Sequence, residues 1–118
     1  MPELEIIMKK DPNAILTLNS AFYYSGLTDT IPDHYYVATP KSNRKIEDVR
    51  VKQIYENSNA FEMGKTTIEY DGVDITIYNE ERLLIELIRN KRKFSFDLYK
   101  EIISNYRKLI HKMDMTQI

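Results

Sequence analysis

The stretch from Thr66 to Tyr78 constrains this chain more than any other. Thr66-Thr67-Ile68-Glu69-Tyr70 and Val73-Asp74-Ile75-Thr76-Ile77-Tyr78 alternate at the period of a strand, and Asp71-Gly72 separates them. A two-residue link between antiparallel strands needs positive φ at both central positions, which Asp and Gly tolerate. The sequence therefore predicts a type I′ hairpin whose register puts Ile68, Tyr70, Val73, Ile75 and Ile77 on one face. Asn79 follows at once and can cap a helix opening with Glu80 and Glu81, acids set against the positive end of the helix dipole. Leu83, Leu84, Leu87 and Ile88 are the expected apolar stripe of that helix, and Arg89 to Lys93 bring cations to its C-terminal end.

Upstream, Asp11-Pro12 reads as an N-cap and first helical position, with Ile15, Leu18, Phe22 and Ser25 at helical spacing and Gly26 as the left-handed terminator. A helix over 12–25 is expected. Residues 3–9 read as the end of another helix without a cap. Pro32 closes a loop over 28–33, and His34 to Thr39 is an aromatic, β-branched strand ended by Pro40. After the basic loop Lys41 to Lys45, Val49, Val51 and Gln53 alternate with Arg50, Lys52 and Ile54 as a second strand, broken by Asn57-Ser58-Asn59. Ser95 can cap a long last helix with Tyr99, Ile102, Ile103, Tyr106, Leu109, Ile110 and Met113 along one face. Strands gathered ahead of helices argue for α+β. We expect one domain over 1–118, with a mostly antiparallel sheet of about four strands packed with an N-terminal helix and two C-terminal helices.

Composition narrows the function. With 118 residues, 42% hydrophobic and 30% charged, the chain suits one folded domain rather than a disordered segment. The absence of cysteine removes disulfides, thiol nucleophiles and thiolate zinc sites. No apolar run approaches the roughly 18–20 residues of a membrane span. An acidic start without an apolar signal segment leads us to expect a cytoplasmic location. Net charge is −1, yet residues 1–81 carry 8 basic against 14 acidic side chains and residues 82–118 carry 9 against 4. A chain split in this way can pair its own halves or offer a basic face to an acidic partner.

No catalytic set assembles from the pattern. Among Glu69, Asp71 and Asp74, Asp71 serves the turn, and Glu69 lies opposite the apolar face of its strand. Gly64-Lys65-Thr66 imitates the end of a phosphate loop, but Asn59 stands where that loop needs its first glycine. His34 and His111 lie far apart without a surrounding motif. Two basic clusters remain: Lys41, Arg44 and Lys45, and Arg89, Lys91, Arg92 and Lys93. Either could neutralise phosphates, solubilise a turn or edge a protein contact, although a pI of 6.1 is low for a dedicated nucleic-acid binder. Nine tyrosines are the one compositional excess. Tyr23-Tyr24 and Tyr35-Tyr36 come as adjacent pairs that point different ways, suited to an interface or to a small core with its polar tips in water. Arg82, in the first turn of its helix, opposes the dipole unless it pairs with Glu86 or with an acid from the sheet.

Two segments together resemble the AbiEi antitoxin family. One is Asn19-Ser20-Ala21-Phe22-Tyr23-Tyr24-Ser25-Gly26-Leu27-Thr28-Asp29-Thr30-Ile31-Pro32, followed by the aromatic strand that ends in Thr39-Pro40-Lys41. The other is Ile75-Thr76-Ile77-Tyr78-Asn79-Glu80-Glu81-Arg82-Leu83-Leu84-Ile85-Glu86-Leu87, similar to that family's strand leading into a Glu-Arg-Thr-Leu helix start, with Leu83 where the family often has Thr. The likeness spans roughly 11–110. It implies a type IV toxin–antitoxin component of phage abortive infection. In such proteins an N-terminal winged helix binds the operon's own promoter, and a C-terminal domain opposes a nucleotidyltransferase-like toxin. A first helix signal at Asp11 leaves no room for the winged helix, so the resemblance is to the C-terminal domain, expected to be part of a longer chain. No catalytic residue, cofactor, metal, membrane or small-molecule substrate is expected. Partner contacts are expected from Tyr23, Tyr24, Lys41, Arg44, Lys45, Arg82, Arg89, Lys91, Arg92 and Lys93. The alternative is a nucleic-acid-binding accessory domain that uses the basic clusters.

Overall fold

Ala14 to Leu18 is buried without interruption, and this run organises the sheet. In the computed structural model, which describes residues 3–57 and 59–117 with the last seven as backbone only, Ile15–Leu16 is a two-residue strand, β1. A strand at the centre of a sheet is covered on both faces, so it reads as an apolar run rather than an alternation. Thr17 is extended (φ −144°, ψ 174°), Leu18 takes φ +47°, and the helix α2 runs from Leu18 to Tyr24. The expected helix over 12–25 is thus only its second half. Asp11 does not cap it: the Asp11 carboxylate accepts from the Asn13 N–H at 2.8 Å and closes a turn instead. The far end is as expected. Gly26, at φ +79°, follows the Ser25 cap, and the Leu27 and Gly26 N–H groups donate to the Phe22 and Tyr23 carbonyls.

The remaining elements are α1 (Glu3–Met8), β2 (Tyr35–Pro40), β3 (Val51–Glu56), β4 (Lys65–Tyr70), β5 (Val73–Tyr78), α3 (Glu80–Arg89), a 3₁₀ turn (Lys91–Lys93) and α4 (Phe96–Gln117). Ser58, within the expected break after β3, and the His111 and Met113 side chains lie outside the described residues. The fold is α+β. Its sheet has five strands in the order β3-β2-β1-β5-β4 and is mixed: β1–β2 and β4–β5 are antiparallel, β1–β5 and β2–β3 parallel. The extra strand is β1, and its central place makes β5 a parallel neighbour. β2 and β3 are parallel because residues 41–50 cross back between them. Gln53 holds that crossover, accepting from the Ile46 N–H at 2.6 Å and donating to Thr39 Oγ1 at 2.8 Å and to the Arg44 carbonyl at 3.1 Å.

The hairpin forms as expected, with Tyr70 opposite Val73 and Ile68 opposite Ile75. Asp71 (φ +50°) and Gly72 (φ +79°) supply the I′ turn. The helices α2, α3 and α4 pack together. Phe22 meets Phe94 edge to face at 5.9 Å, the Asn105 side-chain amide donates to the Leu27 carbonyl at 2.7 Å, and the Tyr106 hydroxyl donates to the Glu80 carbonyl at 2.7 Å. Ile102 and Tyr106 are buried on the expected face of α4, whereas Ile110 is exposed. No described helix is long and apolar enough to cross a membrane.

Candidate functional site

The helix α3 has an exposed side and a buried side, divided differently from the expected stripe. Asn79 caps it, its side-chain oxygen accepting from the Arg82 N–H at 2.9 Å. Leu83 and Leu87 are fully buried, but Ile88 is not: it is 59% exposed, beside Ile85 at 53%. Arg82 and Glu86 take the buried positions in its place, at 6% and 4%. On the helix, positions 82, 83, 86 and 87 share one side and 81, 85 and 88 the other. Hydrophobic spacing misses this division because two of the four inward residues are charged.

Arg82 is an interior anchor. Its Nε donates to Glu86 Oε1 at 3.1 Å, and an Nη lies 3.5 Å from Glu56 Oε2 at the end of β3. The other Nη donates to the Ala60 carbonyl and, at 2.7 Å, to the Met63 carbonyl. Its guanidinium carbon sits 4.2 Å from the centroid of the Tyr78 ring. Tyr78 in turn donates to the Phe61 carbonyl at 2.5 Å, and burial pushes its phenol up to about 12, so it keeps its proton. These contacts fasten the segment between β3 and β4 onto α3. Gly64 (φ +81°) lets the backbone pass, since a Cβ there would lie 2.5 Å from Arg82 Cβ. Pairing of Arg82 with Glu86 and with an acid of the sheet is therefore present, and Arg82 offers almost no surface to a partner. Glu56 is the residue that sequence reasoning does not name, because nothing local marks an acid 26 positions upstream as its counter-ion. Burial first, and then the charge of Glu86, raise the Glu56 carboxyl above its ordinary range, against the pull of Arg82, Arg89 and Lys41.

The outward side is different in kind. Arg89 is exposed, although one Nη reaches Glu86 Oε1 at 3.1 Å. Lys91, Arg92 and Lys93 are all exposed on the 3₁₀ turn, and Lys91 Nζ lies 5.4 Å over the Tyr99 ring. Ile85 and Ile88 thus share the exposed side of α3 with Glu81, and the cationic 3₁₀ turn follows the helix's C-terminal end. Lys41, Arg44 and Lys45 are exposed in the crossover after β2. The Lys41 backbone N–H donates to the Glu56 carbonyl at 3.2 Å and Arg89 reaches Glu86, so one member of each basic cluster borders the ion group around Arg82.

Tyr23 and Tyr24 lie elsewhere, at the end of α2. Both are half-buried and edge to face at 5.2 Å, and Tyr24 packs against Tyr70 of the hairpin at 4.8 Å. Neither Tyr is fully exposed, and the same holds for Tyr35 and Tyr36. Ser20 ties this region together, its hydroxyl donating to the His34 carbonyl at 3.0 Å and accepting from the Tyr36 N–H at 2.9 Å. Among the described residues, no three of His, Asp and Glu gather in a metal-holding group. Comparison with known proteins finds no family model and no curated protein that matches the chain.

Proposed function

We propose that this chain is a non-enzymatic antitoxin-like regulatory domain that counteracts a nucleotidyltransferase-like toxin in a phage-defence system, within a protein whose winged helix represses its own operon. The observation that carries this reading is the outward side of α3 and the 3₁₀ turn. Two isoleucines more than half exposed lie on α3, which Arg82 nails from within and which ends at Arg89 just before the exposed Lys91, Arg92 and Lys93. Exposed branched apolar side chains on a rigid helix, rimmed by charge, are the makings of a protein contact. The two segments that resemble the AbiEi family also support it. The helix α2 with its Gly26 terminus and the β5–α3 junction pack on each other in the fold.

The test is co-expression. With a nucleotidyltransferase-like toxin from the adjoining reading frame induced, the full-length protein should restore growth. Failure of rescue overturns the reading. Lys41 beside Glu56 and Arg89 on Glu86, one from each basic cluster, border the ion group around Arg82 and give nucleic-acid binding a second claim. If that reading holds, duplex affinity is measurable, falls steeply with salt and is lost on charge reversal at Lys91, Arg92 and Lys93. Absence of binding at low salt removes it.

A further inference from the structure

We propose that two copies of this chain form a symmetric dimer through β4, whose free edge pairs antiparallel with the same edge of the second copy about Thr67. β4 ends the sheet, and its register against β5 runs unbroken from Lys65 to Tyr70 without a proline or a bulge. The two-residue turn makes Tyr70 and Val73 a hydrogen-bonded pair, and with it Ile68–Ile75 and Thr66–Ile77. The N–H and C=O groups of Lys65, Thr67 and Glu69 therefore point away from β5, out of the sheet. Of these, among the described residues, the Lys65 N–H alone is engaged, by the Glu62 carbonyl at 3.2 Å. Such an edge is a template for another strand.

The charges along the edge choose a second copy as that strand. Glu69 stands directly opposite Asp74, two exposed carboxylates on one face of the hairpin, a pairing that is unfavourable until a cation joins it. Among the described residues, no Lys or Arg lies within ion-pair distance of either. Lys9 borders the same shallow groove as Asp74 but is paired with Glu5 at 3.3 Å. Lys65 shares the face of Glu69 four positions earlier, and its contact with Glu62, 3.7 Å between side chains 47% and 73% exposed, is one that water screens. When a second β4 is turned about Thr67, the partner's Lys65 comes opposite Glu69 and completes a row with Asp74, twice over by symmetry. Thr67 meets Thr67 on the axis, and Thr66 comes opposite Ile68 on the other face. Each Thr67 N–H reaches the partner's Thr67 carbonyl and each Glu69 N–H the partner's Lys65 carbonyl, so four hydrogen bonds form. β3, the other edge, carries no unmatched pair of this kind: Arg82 meets its Glu56, and the Gln53 side chain is engaged by the crossover.

The experiment is sedimentation equilibrium of the intact chain across a range of concentrations. The mass should rise from 14.0 kDa toward twice that value and no further, since the pairing closes on itself. Glu69→Lys sets a lysine against the partner's Lys65 and should weaken the dimer at least about tenfold, because symmetry repeats the change. The same substitution relieves the clash with Asp74 inside the hairpin, so the melting temperature of the dilute monomer should hold or rise. Damage to the fold would lower both together. Lys65→Glu/Glu69→Lys exchanges the two charges and should restore association to within about threefold of the native chain. Thr67→Pro removes an N–H that faces out of an edge strand, so the chain should stay folded and become monomeric. A monomer at every concentration up to about 1 mM, or a mass beyond two chains, would overturn the proposal. So would a Glu69→Lys dimer as tight as the native one, an exchanged variant no tighter than Glu69→Lys, or a folded Thr67→Pro chain that still dimerises.

Discussion

Arg82 is the residue on which the interior of α3 depends. Two acids and two carbonyls surround a guanidinium that is 6% exposed. Removing one member of a buried ionic group leaves the others uncompensated, so Arg82→Ala should lower unfolding free energy by about 3–5 kcal/mol in urea titrations. A loss within surface-mutant range would show that the network is solvated. Arg82→Lys should rescue it poorly, because a single ammonium cannot serve partners on several sides. Glu56 gives a second prediction. Its carboxyl is raised in the folded state, so the folded chain holds that proton to higher pH than the unfolded chain does. The contribution of Glu56 to stability must then fall as pH rises above 4.5 through the folded value, by linkage. Glu56→Gln has no such proton. The stability difference should therefore move in the variant's favour as pH rises above 4.5, and a difference flat with pH would contradict the burial of this charge. Little of this was legible in the sequence. The need of Arg82 for a partner follows from its place in the first turn, and Glu86 follows from i+4 spacing. Glu56 does not, because its pairing is made by the crossing of strands.

At the scale of elements, what could be read was what is local. The hairpin, the Asn79 cap and the Gly26 terminus each rest on neighbours in sequence and stand as expected. The strand β1 escaped because two residues buried on both faces carry no alternation, and Ile15, Leu18 and Phe22 happen to fall at helical spacing across the Thr17–Leu18 break. Ile88 was misplaced for the complementary reason: charged Arg82 and Glu86 hold positions that an apolar stripe would assign to it. The glycines test the packing between elements. Gly72→Ala should cost about 1 kcal/mol, the left-handed penalty alone, since nothing lies within 4 Å of an added Cβ. Gly64→Ala carries the same penalty and also drives a methyl against Arg82 Cβ, so it should cost about 1–3 kcal/mol more by overpacking. Thermal melts of the two variants compare them directly. Equal losses would mean that the segment between β3 and β4 is not clamped to α3.

Across the whole molecule, the charge asymmetry of the sequence acquires a place. The acidic first part supplies Glu56, among the described residues the one counter-ion that Arg82 draws from another element, while the basic C-terminal third leaves Lys91, Arg92 and Lys93 exposed on the turn that follows the helix of Ile85 and Ile88. Inward, charge is matched by fold. Outward, exposed isoleucines and cations remain, the surface we propose for the toxin-opposing contact. The most direct measurement of that claim is growth during toxin induction with Ile85→Asp/Ile88→Asp in place of the native residues. Both side chains face solvent, so the double variant should keep its circular dichroism and its melting temperature within a few degrees. The expected result is a folded protein that no longer restores growth. Rescue equal to that of the native protein would contradict the assignment of this face.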